Sequence, residues 1–205
     1  MILYKTAAKE ARAEQIIKKS RFIATVKPVS SKEEADDFVA AVTEEFKDAT
    51  HNVPAMVVGE KSQIQWASDN GEPQGTSGAP MVRMLVSEGL TNVAIVVTRY
   101  FGGIKLGTGG LVRAYTGTAK LALDEAGIKE VKEMLELVVD MDYTYLPRLQ
   151  KIAGDMKFEI SSIDYSDTVT LTIDTAAERG DDIRSMLADM TSGKAKILSE
   201  VRKTS

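Results

Sequence analysis

Ten of the fifteen glycines fall between Gly71 and Gly117, and five of them, Gly102, Gly103, Gly107, Gly109 and Gly110, follow directly on the apolar run Val93-Ala94-Ile95-Val96-Val97. This juxtaposition constrains the fold more than any other feature. A continuous apolar run without alternation is expected of a strand covered on both faces. Glycine, having no Cβ, lets the chain turn sharply and lets a ligand come close to the main chain. A helix then follows, burying Leu111, Tyr115, Ala119, Ala122 and Ala126, with Gly127 as its C-terminal cap. The order buried strand, glycine loop, helix is where chemistry is expected.

The rest of the chain reads as two α+β domains, residues 1–130 and 131–205, with residues 128–134 as the junction. At 205 residues, 43% hydrophobic and 27% charged, the composition is that of a globular protein and not of a disordered one. In the first domain, residues 14–19 and 21–27 read as extended segments broken near Ser20. Ser31-Lys32-Glu33-Glu34 is a capping box, opening a helix whose buried stripe is Ala35, Phe38, Val39, Val42 and Phe46. Residues 53–59 and 63–67 form a strand pair, with Trp66 packed rather than stacking on a base. Pro80 suits the first position of the next helix, which buries Met81, Met84 and Leu85.

Beyond residue 131 the pattern is β-α-β-β-α-β, the order of a ferredoxin-like sandwich. Leu135, Leu137, Val139 and Met141 share one strand face. A helix opened by Pro147, a hairpin turning at Ser166-Asp167, a helix with Ile183, Met186, Leu187 and Met190, and a final strand over 196–202 complete it.

Charge and composition exclude several functions. There is no cysteine, hence no disulfide, thiolate metal site or cysteine nucleophile, and His51 is the only histidine. No apolar run approaches the ~20 residues of a membrane span, and the start lacks the apolar core of a signal peptide, so a cytoplasmic location without membrane contact is expected. The net charge of −4 belongs to residues 131–205, which carry 10 bases and 14 acids; residues 1–130 balance at 16 each. Within residues 78–120 five bases, Arg83, Arg99, Lys105, Arg113 and Lys120, face one acid, Glu88.

An anion is therefore the expected guest of the glycine loop. The first turn of a helix leaves amide hydrogens unpaired at its positive end. Arg99, Gly102, Gly103, Lys105, Gly107, Thr108, Gly109, Gly110 and Arg113 are the predicted phosphate-binding residues. Gly75, Thr76 and Ser77 at the preceding helix start form a second such set. The spacing matches neither a Walker loop nor a dinucleotide fingerprint. Asp69 and Glu72 are expected to cap their loop and to pair with Arg99, and His51 to be hydrogen-bonded between helix and strand. In an alternative, enzymatic reading, His51, Asp69 and Glu72 are acid–base or metal groups, and Ser77 is the only attractive nucleophile. No cofactor is expected.

Residues 18–27, Lys47 to Asn52, Asn70-Gly71-Glu72-Pro73 and Val96 to Tyr115 together resemble the IMPACT family, in particular its bacterial two-domain, YigZ-like branch. The resemblance implies a first domain with the fold of ribosomal protein S5 domain 2, and a second similar to the last, ferredoxin-like domain of elongation factor G. It also implies a link to translational control and nucleic-acid binding. The family commonly has Cys and Tyr after His-Asn and Asp before Gly-Glu-Pro; here Val53, Pro54 and Asn70 stand there. Eukaryotic members that act on an initiation-factor kinase pathway carry a further amino-terminal domain, so that activity is not expected. The expected partner is RNA or a ribosomal component, gripped by its phosphate backbone and not read by sequence. The acidic second domain is expected to meet a protein partner or a second copy through the face bearing Glu136, Asp140, Asp142, Thr168, Thr170, Thr172 and Asp174.

Overall fold

The computed structural model describes residues 2–204. The chain divides into two compact units, one of residues 4–130, the other of residues 131–204 with Ile2 and Leu3. The architecture is mixed α/β, and every strand pair with a defined register is antiparallel. No helix among the described residues is long and apolar enough to cross a membrane.

In the first unit, after β1 (Ile2–Ala7), come β2 (Ala11–Ile17), β3 (Ser20–Pro28), α1 (Lys32–Glu45), β4 (His51–Val58), β5 (Ile64–Ala67), α2 (Gly78–Ser87), β6 (Val93–Tyr100) and α3 (Thr108–Ala126). Strands β2-β3-β6-β4-β5 form one sheet, with β6 at its centre. The unbroken apolar run follows from this position. Val93, Ile95 and Val97 face Met81, Leu85 and the buried side of α3, while Ala94 and Val96 face Ala35, Phe38 and Val42 of α1. Each such aliphatic side chain taken fully out of water is worth roughly 1.5–3 kcal/mol.

Three local expectations shift. Ser31 caps α1 by accepting from the Glu34 amide, but the Glu34 carboxylate reaches one residue further back than in a capping box, to the amide and hydroxyl of Ser30, 2.8 Å each. Helix α2 begins at Gly78, so Pro80 stands third in the helix and not first. Trp66 is 44% exposed, because β5 is a four-residue edge strand. Tight turns hold the sheet ends. Ile17 pairs with Ser20 across Lys18-Lys19, both at positive φ (45° and 66°), the geometry of a two-residue hairpin.

The second unit follows β7 (Ile128–Met141), α4 (Leu146–Ile152), β8 (Phe158–Tyr165), β9 (Val169–Ala176), α5 (Gly180–Thr191) and β10 (Lys196–Thr204), with single 3₁₀ turns at Tyr143–Tyr145 and Ala177–Arg179. Residues 128–134, expected as a junction, lie inside β7, which begins as soon as Gly127 closes α3. The sheet runs β1-β7-β9-β8, with β10 also paired to β7. Leu135, Leu137, Val139 and Met141 are buried against Leu149, Ile183 and Leu187, as their alternation predicts.

Candidate phosphate-binding site

The antiparallel register sets the site. His51 on β4 pairs with Arg99 on β6, and Arg99 pairs with Phe22 on β3. Directly opposed residues point to the same face. The three side chains therefore form one rung at the end of the sheet face that α2 and α3 cover.

Two of the rung, Arg99 and His51, converge on one carboxylate. Glu72 Oε1 accepts from Arg99 Nη1 and from the Tyr115 hydroxyl, each at 2.6 Å. His51 Nε2 lies 3.8 Å from the same oxygen. The Arg99 guanidinium is 5.3 Å from the centroids of both the Phe22 and Phe101 rings, and its Nη2 donates to Ser20 Oγ at 3.3 Å. Its Nε is buried and has no hydrogen-bond partner. Burial, then the bond to Glu72, pushes the Tyr115 hydroxyl far up from its ordinary value, so it stays un-ionised. His51 Nδ1 is 2.7 Å from the carbonyl oxygen of Asn70. A carbonyl oxygen only accepts, so Nδ1 carries a hydrogen, and a neutral ring has its lone pair on Nε2. Asn70 itself is tied to β4, its Oδ1 accepting from the Asn52 amide at 2.9 Å.

The two predicted helix starts differ. At α2, Asp69 accepts from the Gly75 amide (2.7 Å), the Ser77 amide (3.2 Å) and hydroxyl (2.6 Å), and the Gly78 amide (3.0 Å). Thr76 Oγ1 donates to the Pro73 carbonyl. The chain's own carboxylate thus fills the place expected for a phosphate at Gly75, Thr76 and Ser77. Burial works to raise the Asp69 pKa, but those hydrogen bonds outweigh it and hold the group below the usual carboxylate range. Asp69 is a cap, as one expectation had it. Ser77 is fully buried with its hydroxyl committed to Asp69, which removes it as a nucleophile.

Helix α3 starts at Thr108, after Gly107 (φ 78°) at the N-cap position, with no side-chain cap. This helix start borders a cleft of about 420 Å³, lined by Thr50, His51, Glu72, Pro73, Arg99, Phe101, Lys105, Leu106, Gly107, Thr108 and Leu111. Lys105 is exposed and has no carboxylate partner among the described residues. Arg99 is at the floor, buried and paired with Glu72 as expected, so it is a positioning group and not the phosphate contact predicted. A Cβ on Gly102 would stand 2.1 Å from the Lys19 carbonyl, so that glycine serves packing against the β2–β3 turn and not a ligand. Gly103 (φ 82°) shapes the loop, Gly109 is open except for Arg113, and Gly110 packs on Leu106. Arg113 and Gly110 face a neighbouring groove.

Sequence reasoning brought His51, Glu72, Arg99 and the α3 start together, and it missed Asn70, Thr50 and Ser20. Their roles are hydrogen bonds between loops far apart in sequence. Thr50 Oγ1 and Ser20 Oγ accept from the Phe101 and Gly102 amides. Among the described residues no three His, Asp or Glu side chains are grouped to hold a metal ion.

Residues 18–123, which carry this whole site, match the Impact N-terminal domain. The chain belongs to the IMPACT family. Residues 139–194 match a domain of unknown function, DUF1949. The chain is 37% identical to the IMPACT family member YvyE of Bacillus subtilis over 95% of its own length and 89% of that protein's. It is 36% identical to the IMPACT family member YigZ of Escherichia coli over 89% and 91%. A crystal structure described as that of a hypothetical protein is 34% identical, covers 96% of each chain and superposes with a TM-score of 0.62. In this IMPACT chain, then, the matched domain ends just before Gly127 and includes both walls of the cleft.

Proposed function

We propose that the first unit binds a phosphorylated ligand, RNA or a ribosomal component, seating a phosphate on the start of α3. The observation that carries this is the contrast between the two helix starts: α2 is closed by Asp69, while α3 opens uncapped into a cleft with an unpaired Lys105. One exposed helix end contributes only about 0.3–1 kcal/mol toward an anion, so Lys105 and further cations must act with it. Phe101, 47% exposed beside the cleft, offers a face for a base or ribose without reading its identity. Such a protein would act in the cytoplasm, in translation, without a cofactor. Fluorescence anisotropy with 5′-phosphorylated RNA tests it: binding that weakens with salt and with Lys105→Ala supports the reading, and no binding at low salt rejects it.

The fold assignments fit this use. The order β10-β7-β9-β8, within a sheet where β1 also pairs with β7, supports reading the second unit as a ferredoxin-like sandwich, and an S5 domain 2-like first unit would accord with an RNA-facing role. We assign the second unit to protein contact, with a partner or a second copy. Its polar face is less negative than its sequence suggests, because Lys203 lies 2.7 Å from Glu136 and 2.6 Å from Asp174. Asp140 accepts from Thr168, and Asp142 caps a 3₁₀ turn. The exposed strand β10 carries Ile197, Leu198 and Val201, apolar side chains suited to a protein surface.

A second reading, an enzyme acting on a phosphorylated or nucleotide substrate, is favoured by the convergence of His51 and Arg99 on Glu72 in the same cleft. Asp69 has no part in it. Release of inorganic phosphate from a nucleotide panel, abolished by His51→Gln, would move the assignment to this reading.

A further inference from the structure

A groove of about 350 Å³ lies on the other side of Leu106 from the cleft, between the β2–β3 hairpin and α3. Gln15, Ile17, Lys18, Leu106, Gly110, Arg113, Ala114, Gly117 and Leu121 line it. No carboxylate is among them, in a chain with more acids than bases. Lys18 and Arg113 are exposed and lack a carboxylate partner among the described residues. The Arg113 guanidinium folds back toward the start of its own helix, its Nη1 3.8 Å from where a Gly109 Cβ would be. A cation there sits at the positive end of the helix dipole, an arrangement that an anion between them relieves. Lys18 is not free to drift away. Its two-residue turn is pinned because Gly102 abuts the Lys19 carbonyl and donates to Ser20 Oγ at 3.1 Å.

We infer that this groove is a second phosphate subsite, in which Lys18 and Arg113 hold the next backbone phosphate of a single RNA strand whose first phosphate sits at the α3 start. The inference rests on the function proposed above and deepens it by naming a strand, not a lone nucleotide, as the ligand. Leu106 lies under the link between the two phosphates, and Ile17 and Leu121 give aliphatic surface to the sugar or base. The groove holds no aromatic side chain, so it grips without base preference. Alternating anions and apolar rings along a chain are what this alternation of cations and aliphatics complements.

The experiment compares a 5′-phosphorylated hexaribonucleotide with a mononucleotide on the full chain, its Lys105→Ala variant and its Lys18→Ala/Arg113→Ala variant. With two phosphates neutralised, one at Lys105 and one shared by Lys18 and Arg113, log affinity for the hexamer should fall against log salt with a slope of about −1.4; without the groove pair it should be about −0.7. The double variant should also lose roughly tenfold or more in hexamer affinity at low salt, yet bind the mononucleotide as the unaltered chain does. An unchanged hexamer slope in the double variant overturns the groove alone and leaves the cleft reading standing. Equal affinity of the unaltered chain for hexamer and mononucleotide, or displacement of the hexamer by phosphatidylserine vesicles at matched phosphate, also overturns it. If neither RNA probe binds, or if Lys105→Ala changes neither, the reading beneath it falls.

Discussion

Arg99 and Tyr115, from a central strand and a covering helix, donate to the same oxygen of Glu72 at 2.6 Å each. This shared acceptor makes the floor of the cleft a fixed, nearly neutral piece of the core. It leaves the anion-binding potential to the rim, where Lys105 and the α3 amides face solvent. Such a division lets the site be rigid and still bind a charged ligand reversibly.

Glu72→Gln leaves the buried Arg99 charge without its counterion. Removing one partner of a buried pair costs about 3–5 kcal/mol. Urea unfolding should show a loss of unfolding free energy of that size, and a change below about 1 kcal/mol would mean that the pair is not buried in solution.

Tyr115 gives an alkaline limb to stability. Its folded-state pKa is raised, so its contribution is fully present below the unfolded value, about 10, and is lost as pH rises above it. Tyr115→Phe should lose the hydrogen bond at pH 7 but show less decline above pH 10. Thermal melts of both proteins between pH 7 and pH 11 measure this; parallel curves contradict it.

Asp69 gives the opposite sign. Its folded-state pKa lies below the ordinary carboxylate value, about 3.9, so its contribution is present above that value and lost as pH falls through the folded one. Asp69→Ala should cost about 0.5–2 kcal/mol at pH 7, as for loss of a helix cap, and flatten the acid limb. Melts from pH 7 to pH 3 check both.

Gly102→Ala tests packing against ligand binding. Its Cβ would meet the Lys19 backbone at 2.1 Å, so the β2–β3 turn or the loop must shift. A loss of about 1–3 kcal/mol is expected from overpacking. Gly103→Ala, with open space around it, should cost only the strain of its positive φ.

Much of this was legible in the sequence for a physical reason. The buried strand, the helix after it and the second-unit alternation are periodic signals set by one-sided or two-sided burial, and they reappear at Val93–Tyr100, Thr108–Ala126 and Leu135 to Met141. The pairing of Glu72 with Arg99 could be anticipated from charge alone. What could not be read depends on which distant loops touch. Gly102 looked like a ligand glycine because the hairpin it packs on lies 82 residues away from it at Ser20. That Asp69 caps its loop is legible, but not that its bonds take up the very amides of Gly75, Ser77 and Gly78 that a phosphate would use. Trp66 looked packed because the shortness of β5, and its place at the sheet edge, are not written in alternation.

The most direct test is a ¹H–¹⁵N titration of the full chain with 5′-phosphorylated RNA. The amides of Thr108, Gly109 and Gly110 should shift and saturate, while those of Gly75, Ser77 and Gly78, already bonded to Asp69, should stay in place. Shifts confined to Gly75, Ser77 and Gly78, or none at either helix start, would contradict the account.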